Sequence, residues 1–352
     1  MITRYSSLEE LEQLAPLWKE YGKSQGTRVF QTYDWCRLGW EDCLSKDSRN
    51  RLYVLKWSQE NIADSVIFPF YVDGAGTLRF IMDCDSDVGD CIYAVGFNHH
   101  IAFKEALDYI LRDQTINTIR LEKLEARSEI LDYWGSLSLR RSKVEPVNAY
   151  SLIDVSVSED FAASQPQLRS KDKANIRAIK RKADKYQLQL LSHAEGKEYP
   201  AEVIDAIASS MRKKGIRENS FLLGDFADFC RDVYNQGLSD ILELIDAGGE
   251  PVAVNFILKE GHRRLSWVFL YTHAHASTEL YVKYFYEFTK DMGVTFDFGS
   301  GCYDYKIGSF RPEMHLLYRM TIPLTRRARL TELVRTIWTD AKSLIKFTID
   351  RK

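Results

Sequence analysis

The most chemically loaded stretch of the chain is Asp297-Phe298-Gly299-Ser300-Gly301-Cys302-Tyr303-Asp304-Tyr305-Lys306, followed by Phe310. It brings together a carboxylate, two glycines, a phenol and an ammonium group, which can accept a proton, donate one and hold an anion. It ends the strand-like run VTFDFG at 294–299, so a sheet would fix where the loop points, and glycine would let backbone approach a ligand. Glycines at i and i+2 alone are a weak phosphate-loop pattern, and the third glycine of a dinucleotide fingerprint is missing. The competing reading is an ordinary turn that leaves Lys306 in solvent.

Two charged segments also invite chemistry. Asp83-Cys84-Asp85-Ser86-Asp87-Val88-Gly89-Asp90 spaces carboxylates like a calcium loop, but its sixth position is Val88 and its twelfth Ala94, so calcium is rejected. Such a cluster either raises the pKa of one member and makes a base, or is an exposed acidic loop. The segment 168–186 carries Arg169, Lys171, Lys173, Arg177, Lys180, Arg181, Lys182 and Lys185 against Asp172 and Asp184. Ile176, Ile179, Ala183 and Tyr186 fall on one helical stripe, with Ser170 a plausible N-cap. This helix either binds an anion or is a solvated crossing between domains. His99-His100 and His273-x-His275 lack partners at zinc spacing, and no metal is expected. No nucleophile elbow or Walker loop occurs.

The elements that must position these groups repeat in order. The first half reads helices at 7–21 and 32–45, strands at 51–57, 63–72 and 77–83 with a turn at Asn61, a helix at 102–113, a strand at 117–124, a short helix at 127–137 and a strand near 147–154. The second half reads helices at 201–214 and 223–236, strands at 239–246, 252–259 and 263–271, a helix at 279–292, a strand at 294–299 and a strand near 314–322. Two copies of one mixed α/β domain follow, divided at 1–160, a linking helix at 161–190, 191–325 and a basic amphipathic C-terminal helix at 326–352.

The composition agrees with a globular protein: 352 residues, 45% hydrophobic, 28% charged, with a net charge of −2. Near neutrality excludes a nucleic-acid coat, and no apolar run reaches the length of a membrane span. The start, MITRYSSLEELEQL, has no signal-peptide pattern. Six cysteines without a C-x-x-C pair read as reduced, mostly buried thiols of a cytoplasmic protein.

The motif D-F-G-x-G-x-x-x-Y-K-x-x-x-F resembles the terminal signature of the CelD/BcsL-like acetyltransferases, relatives of the GNAT superfamily and of the FemAB peptidoglycan ligases. In the same order, Phe30-Gln31 with Trp35 and Trp40, Ser86-Asp87-Val88-Gly89-Asp90, the 168–186 helix and Glu250-Pro251-Val252-Ala253 resemble further family features, over about 28–322. The family's Ser-Pro-Gly before the 279 helix is replaced by Ala276-Ser277-Thr278. The resemblance implies two tandem GNAT-like domains and transfer of an acyl group from acetyl-CoA to a sugar or cell-envelope precursor. It implies Asp87 or Asp90 as base, Lys306 at the oxyanion or a phosphate, Tyr305 as proton donor to the leaving thiolate, and Asp297 orienting Lys306 or serving as base. Ser277, Thr278, Gly299 and Gly301 would contact the cofactor, and Arg177, Lys180 and Arg181 the anionic part of a substrate. The alternatives are a FemAB-type ligase fed by aminoacyl-tRNA, its basic helix on phosphates, and a non-catalytic GNAT-like binding protein.

Overall fold

The computed structural model describes residues 1–23, 26–59, 65–93, 100–136, 142–194, 196–287 and 293–349. The Asn61 turn, His99 and the ends of the 127–137 and 279–292 helices lie outside the described residues. Two compact units are present: Met1–Gln25 with Asp47–Val147 and Leu317–Lys352, and Gly26–Lys46 with Asn148–Leu316.

The first unit holds an antiparallel sheet ordered Ile2–Tyr5, Val54–Ser58, Ser65–Phe68, Ile92–Tyr93. A second run of strands is ordered Arg51–Leu52, Phe70–Val72, Thr77–Phe80, Thr118–Glu125, followed by Leu317 onward of the strand Glu313–Pro323. The expected continuous strands at 51–57 and 63–72 are each broken. Pro69 has no N–H to continue the ladder, so Val54–Ser58 pairs with Ser65–Phe68 while Arg51–Leu52 pairs with Phe70–Val72. The helices His100–Arg112 and Glu129–Ser136 close a core that includes Trp57, Phe68, Phe103, Ile119, Trp134 and Met320.

The second unit has six strands ordered Gln189–His193, Ser239–Ile245, Pro251–Glu260, Arg263–Tyr271, Val294–Ser300 and Lys143–Val155, the last from Asn148 on. All neighbours are antiparallel except Arg263–Tyr271 with Val294–Ser300. Both sheet faces are buried, which explains the nearly unbroken apolar run Val252–Leu258. The helices Ser170–Lys185 and Ala276–Glu287 pack over an aromatic core of Tyr281, Phe285, Phe296, Phe298 and Phe310. Ala201–Lys213 and Asp225–Asn235 cover the other face.

The units are not contiguous, unlike the divisions at 160, 190 and 325. Gly26–Lys46 belongs with the second unit because Trp35 packs edge-on against Phe229 and Trp267, both ring centroids at 5.0 Å. The end of the chain belongs with the first because Leu317–Pro323 pairs with Thr118–Glu125. The basic segment is no linker either, since Ile176 and Ala183 sit in the core of the second unit. Of the six free cysteines only Cys36, Cys91 and Cys230 are buried, fewer than expected. Among the described residues no helix is long and apolar enough to cross a membrane.

Candidate functional site

Arg263–Tyr271 and Val294–Ser300 pair only over Arg263–Leu265 and Thr295–Asp297. Beyond that point they part, although Arg263–Tyr271 stays laddered to Pro251–Glu260 as far as Tyr271. One long edge from Ser266 to Tyr271 is thus not laddered to Val294–Ser300. An extended ligand with amide groups can pair with such an edge as an added strand does.

Asp297 closes the ladder at the fork. Its side chain is fully buried; Oδ2 accepts from Arg28 Nη2 at 2.7 Å and Oδ1 accepts from the Gly299 N–H at 2.9 Å. Arg28 Nε donates to Glu260 Oε2 at 2.8 Å, and its guanidinium lies 5.3 Å from the Tyr150 ring centroid. Asp297 therefore anchors the fork through Arg28, and its burial takes it away from a base's exposed position.

Lys306 is also turned inward. On the helix Asp304–Phe310 it is 3% exposed, and Nζ donates to the carbonyls of Phe298 at 2.5 Å, Ser300 at 3.2 Å and Gly299 at 3.5 Å. The ammonium clamps the loop that follows the strand, which differs both from an exposed point charge for an anion and from a lysine in solvent. Gly299 and Gly301 have φ of 71° and 102°, and a Cβ at Gly301 would stand 2.5 Å from the Tyr303 ring. A turn at positive φ accounts for glycine at both positions.

Tyr305 is the residue of this motif whose surroundings fit chemistry. Burial, first of all, pushes its phenol up to about 12, against a lowering by its hydrogen bond with Tyr281. The Tyr281 and Tyr305 rings stack with centroids 6.3 Å apart. Behind them, Tyr281 Oη lies 2.7 Å from Ser266 Oγ, which accepts from Asn255 Nδ2 at 2.9 Å. Ser266 Oγ also lies 3.2 Å from Asn255 Oδ1, to which it can donate. The Tyr281 hydroxyl is hydrogen-bonded to Tyr305, so the Tyr305 phenol ends a chain of buried polar groups. Sequence reasoning missed Asn255, Ser266, Tyr281 and Arg28. Asn255 within VAVNFIL and Ser266 within RRLSWVFLY are polar residues inside apolar strands, and that signal was readable.

Ser277 and Thr278 are buried in the first turn of Ala276–Glu287. Ala276 N–H donates to His273 O and Glu279 N–H to His275 O, at 3.2 and 3.0 Å. The buried Glu279 carboxylate in this turn faces Lys182 Nζ at 3.1 Å and His273 Nε2 at 3.6 Å. On the basic helix, Arg177 is engaged by Asp160 at 2.6 Å and Lys180 by Asp184 at 2.7 Å. Arg181 is exposed.

Asp87 and Asp90 belong to the first unit, apart in the chain from every other candidate. Both are half-buried. Desolvation, aided by Glu125 and Glu129, pushes Asp90 up to about 7 despite the Cys91 N–H donating to Oδ1 at 2.7 Å. Among the described residues no group of three His, Cys, Asp or Glu could hold a metal ion.

Residues 170–307 match the acetyltransferase (GNAT) domain family, coarser than the CelD/BcsL-like group that the motifs resemble. No curated protein matches the chain in sequence. Among solved structures, it is similar to the C-terminal domain of a proposed lysylphosphatidylglycerol synthetase from Agrobacterium fabrum, with a TM-score of 0.58, 11% identity and coverage of 93% of this chain and 97% of that one. FemX follows with 0.51, 10% identity, 91% and 98%. A tandem GNAT protein from the clavulanic acid biosynthesis pathway gives 0.50, 12% identity, 92% and 99%. The chain thus has a mixed α/β fold of two tandem GNAT-like domains, and residues 170–307 match the acetyltransferase (GNAT) domain.

Proposed function

We propose that the chain is an acyltransferase, moving an acetyl or related acyl group from a coenzyme A thioester to an amine or hydroxyl of a sugar or cell-envelope precursor. The parting of Arg263–Tyr271 from Val294–Ser300 after three paired positions carries this reading. Coenzyme A fits there: its amide-bearing arm matches the edge Ser266–Tyr271. The first turn of Ala276–Glu287, with Ser277, Thr278, the Lys182 ammonium and the His273 imidazole, is suited to its phosphates. When bound, the thioester supplies an activated acyl group.

Tyr305, a neutral phenol through the physiological range, hands its proton to the departing sulfur. Asp90, pushed up to about 7 within the first unit, has the proton affinity of a general base, with Asp87 three residues before it. Asp297 and Lys306 hold the fork and its loop in shape. Calorimetry with acetyl-CoA, followed by thiol release in the presence of amino sugars, tests the reading. Binding with no thiol release from any acceptor would leave a non-catalytic coenzyme A binder, and absence of binding would remove the reading.

A second reading, aminoacyl transfer from charged tRNA, is favoured by the likeness to FemX and by the exposed Lys171, Arg181 and Lys185 on one helix. RNA that copurifies and dissociates steeply with salt would select it.

A further inference from the structure

The helix Arg326–Ile349 in the first unit is inside-out over its described side chains. Ala328 is buried and the polar Arg329, Glu332, Arg335 and Thr336 are half-buried on its inner side, where Arg335 Nη2 meets Glu332 Oε2 at 2.7 Å. The large apolar side chains face outward: Leu330 is 64% exposed, Leu333 56%, Val334 65%, Ile337 59% and Trp338 63%. Scattered exposed apolar residues need no explanation, but a continuous stripe at i, i+3, i+4, i+7 and i+8 does.

The rest of the exposed face says what covers it. Between 326 and 338 the other exposed residues are Arg326, Arg327 and Thr331; no carboxylate is exposed there. A cavity of about 710 Å³ opens at the foot of the helix, its lining including Pro323, Leu330 and Leu333 beside Lys143, Arg326 and Arg329, with one carboxylate, Glu332, that is paired with Arg335. Apolar wall and cations side by side match a phospholipid, chains against the first and headgroup phosphate against the second. A second copy of the chain fits less well, because two such faces would oppose arginine to arginine with no exposed acid between 326 and 338 to relieve them.

We propose that the outer face of the helix between 326 and 338 docks on an anionic lipid surface, lying in the interface without spanning it. Leu330, Leu333, Val334 and Ile337 enter the acyl boundary, Trp338 sits at headgroup level, and Arg326 and Arg327 reach phosphates. This rests on the helix alone and is independent of the acyl-transfer reading.

Flotation of the full chain with vesicles tests it, comparing phosphatidylcholine alone with phosphatidylcholine containing phosphatidylglycerol. The expected result is binding to the anionic vesicles at least tenfold stronger than to the neutral ones, and weaker in 0.5 M NaCl. A Val334→Asp, Ile337→Asp double variant, whose positions are already in water, should keep its circular dichroism and lose binding at least tenfold. No flotation of the wild type, equal binding to both vesicles, or unchanged binding by the double variant would each overturn the proposal. So would light scattering that shows a wild-type dimer in free solution converted to a monomer by the same pair, which would assign the face to a second copy.

Discussion

Arg28 and Asp297, 269 positions apart in sequence, form a 2.7 Å ion pair in the interior of the second unit. The same guanidinium holds Glu260, so one cation ties a segment from the start of the chain to the end of Pro251–Glu260 and to Val294–Ser300, one of the two strands that part at the candidate site. Removing one partner from a buried charge cluster costs more than the cluster's net worth, because the remaining charges stay desolvated.

Arg28→Met should therefore destabilise the protein by about 3–5 kcal/mol, read as a lowered urea midpoint at unchanged slope. A loss below about 1 kcal/mol would mean that the carboxylates relax into water, and that the fork does not depend on this arginine.

Lys306→Met should act first on stability. Losing the donor to three loop carbonyls is expected to cost about 1–3 kcal/mol, visible as a lower melting temperature. A variant that melts like wild type but loses turnover would return Lys306 to the role of a charge at the reacting oxygen.

Tyr305→Phe keeps the stack on Tyr281 and removes the O–H. A fall in kcat of about 10²–10⁴-fold with little change in donor KM is the expected signature of a lost proton donor. Because the phenol titrates only near 12, wild-type kcat should show no alkaline loss from this group up to pH 9. An equal rise in KM and unchanged kcat would make Tyr305 a binding surface only.

Asp90 gives a prediction about pH. Its folded pKa of about 7 lies above the usual carboxylate value, so between those values the folded chain binds more protons than the unfolded one. Its stabilising contribution is complete below pH about 4 and lost as pH rises through 7. Relative to Asp90→Asn, wild type should lose on the order of 1–3 kcal/mol between pH 4 and pH 8, allowing for its partial exposure. Parallel stability profiles of the two proteins would show that Asp90 titrates normally and is no base.

The periodicity of the sequence carried most of the elements, because strands such as 252–259 and 263–271 lie within a buried sheet whose apolar runs are hard to mistake. It could not carry the division into units. Trp35 reads as any buried aromatic, and only its packing on Phe229 and Trp267 reveals that 26–46 leaves the first unit. Pro69 was a readable break that the expected strand 63–72 ran through.

The motif at 297–306 was legible as a place and misleading as a set of roles. Asp297 and Lys306 have the types that chemistry uses, but a carboxylate with a buried arginine and an ammonium with three carbonyls are ways of closing a fork. Spacing along the chain does not reveal which way a charged side chain turns. Tyr305 was legible by type, while its support from Tyr281, Ser266 and Asn255 comes from three other elements and exists only in the fold.

Hydrogen exchange read by mass spectrometry, with and without saturating acetyl-CoA, tests the donor site most directly. The expected result is slowed exchange in peptides covering 266–272 and 274–283, the unladdered strand edge and the first turn of Ala276–Glu287, with Arg263–Leu265 already protected in both states. Saturable binding that leaves those two peptides unchanged, or no binding at all, would contradict the claim that this fork receives the acyl donor.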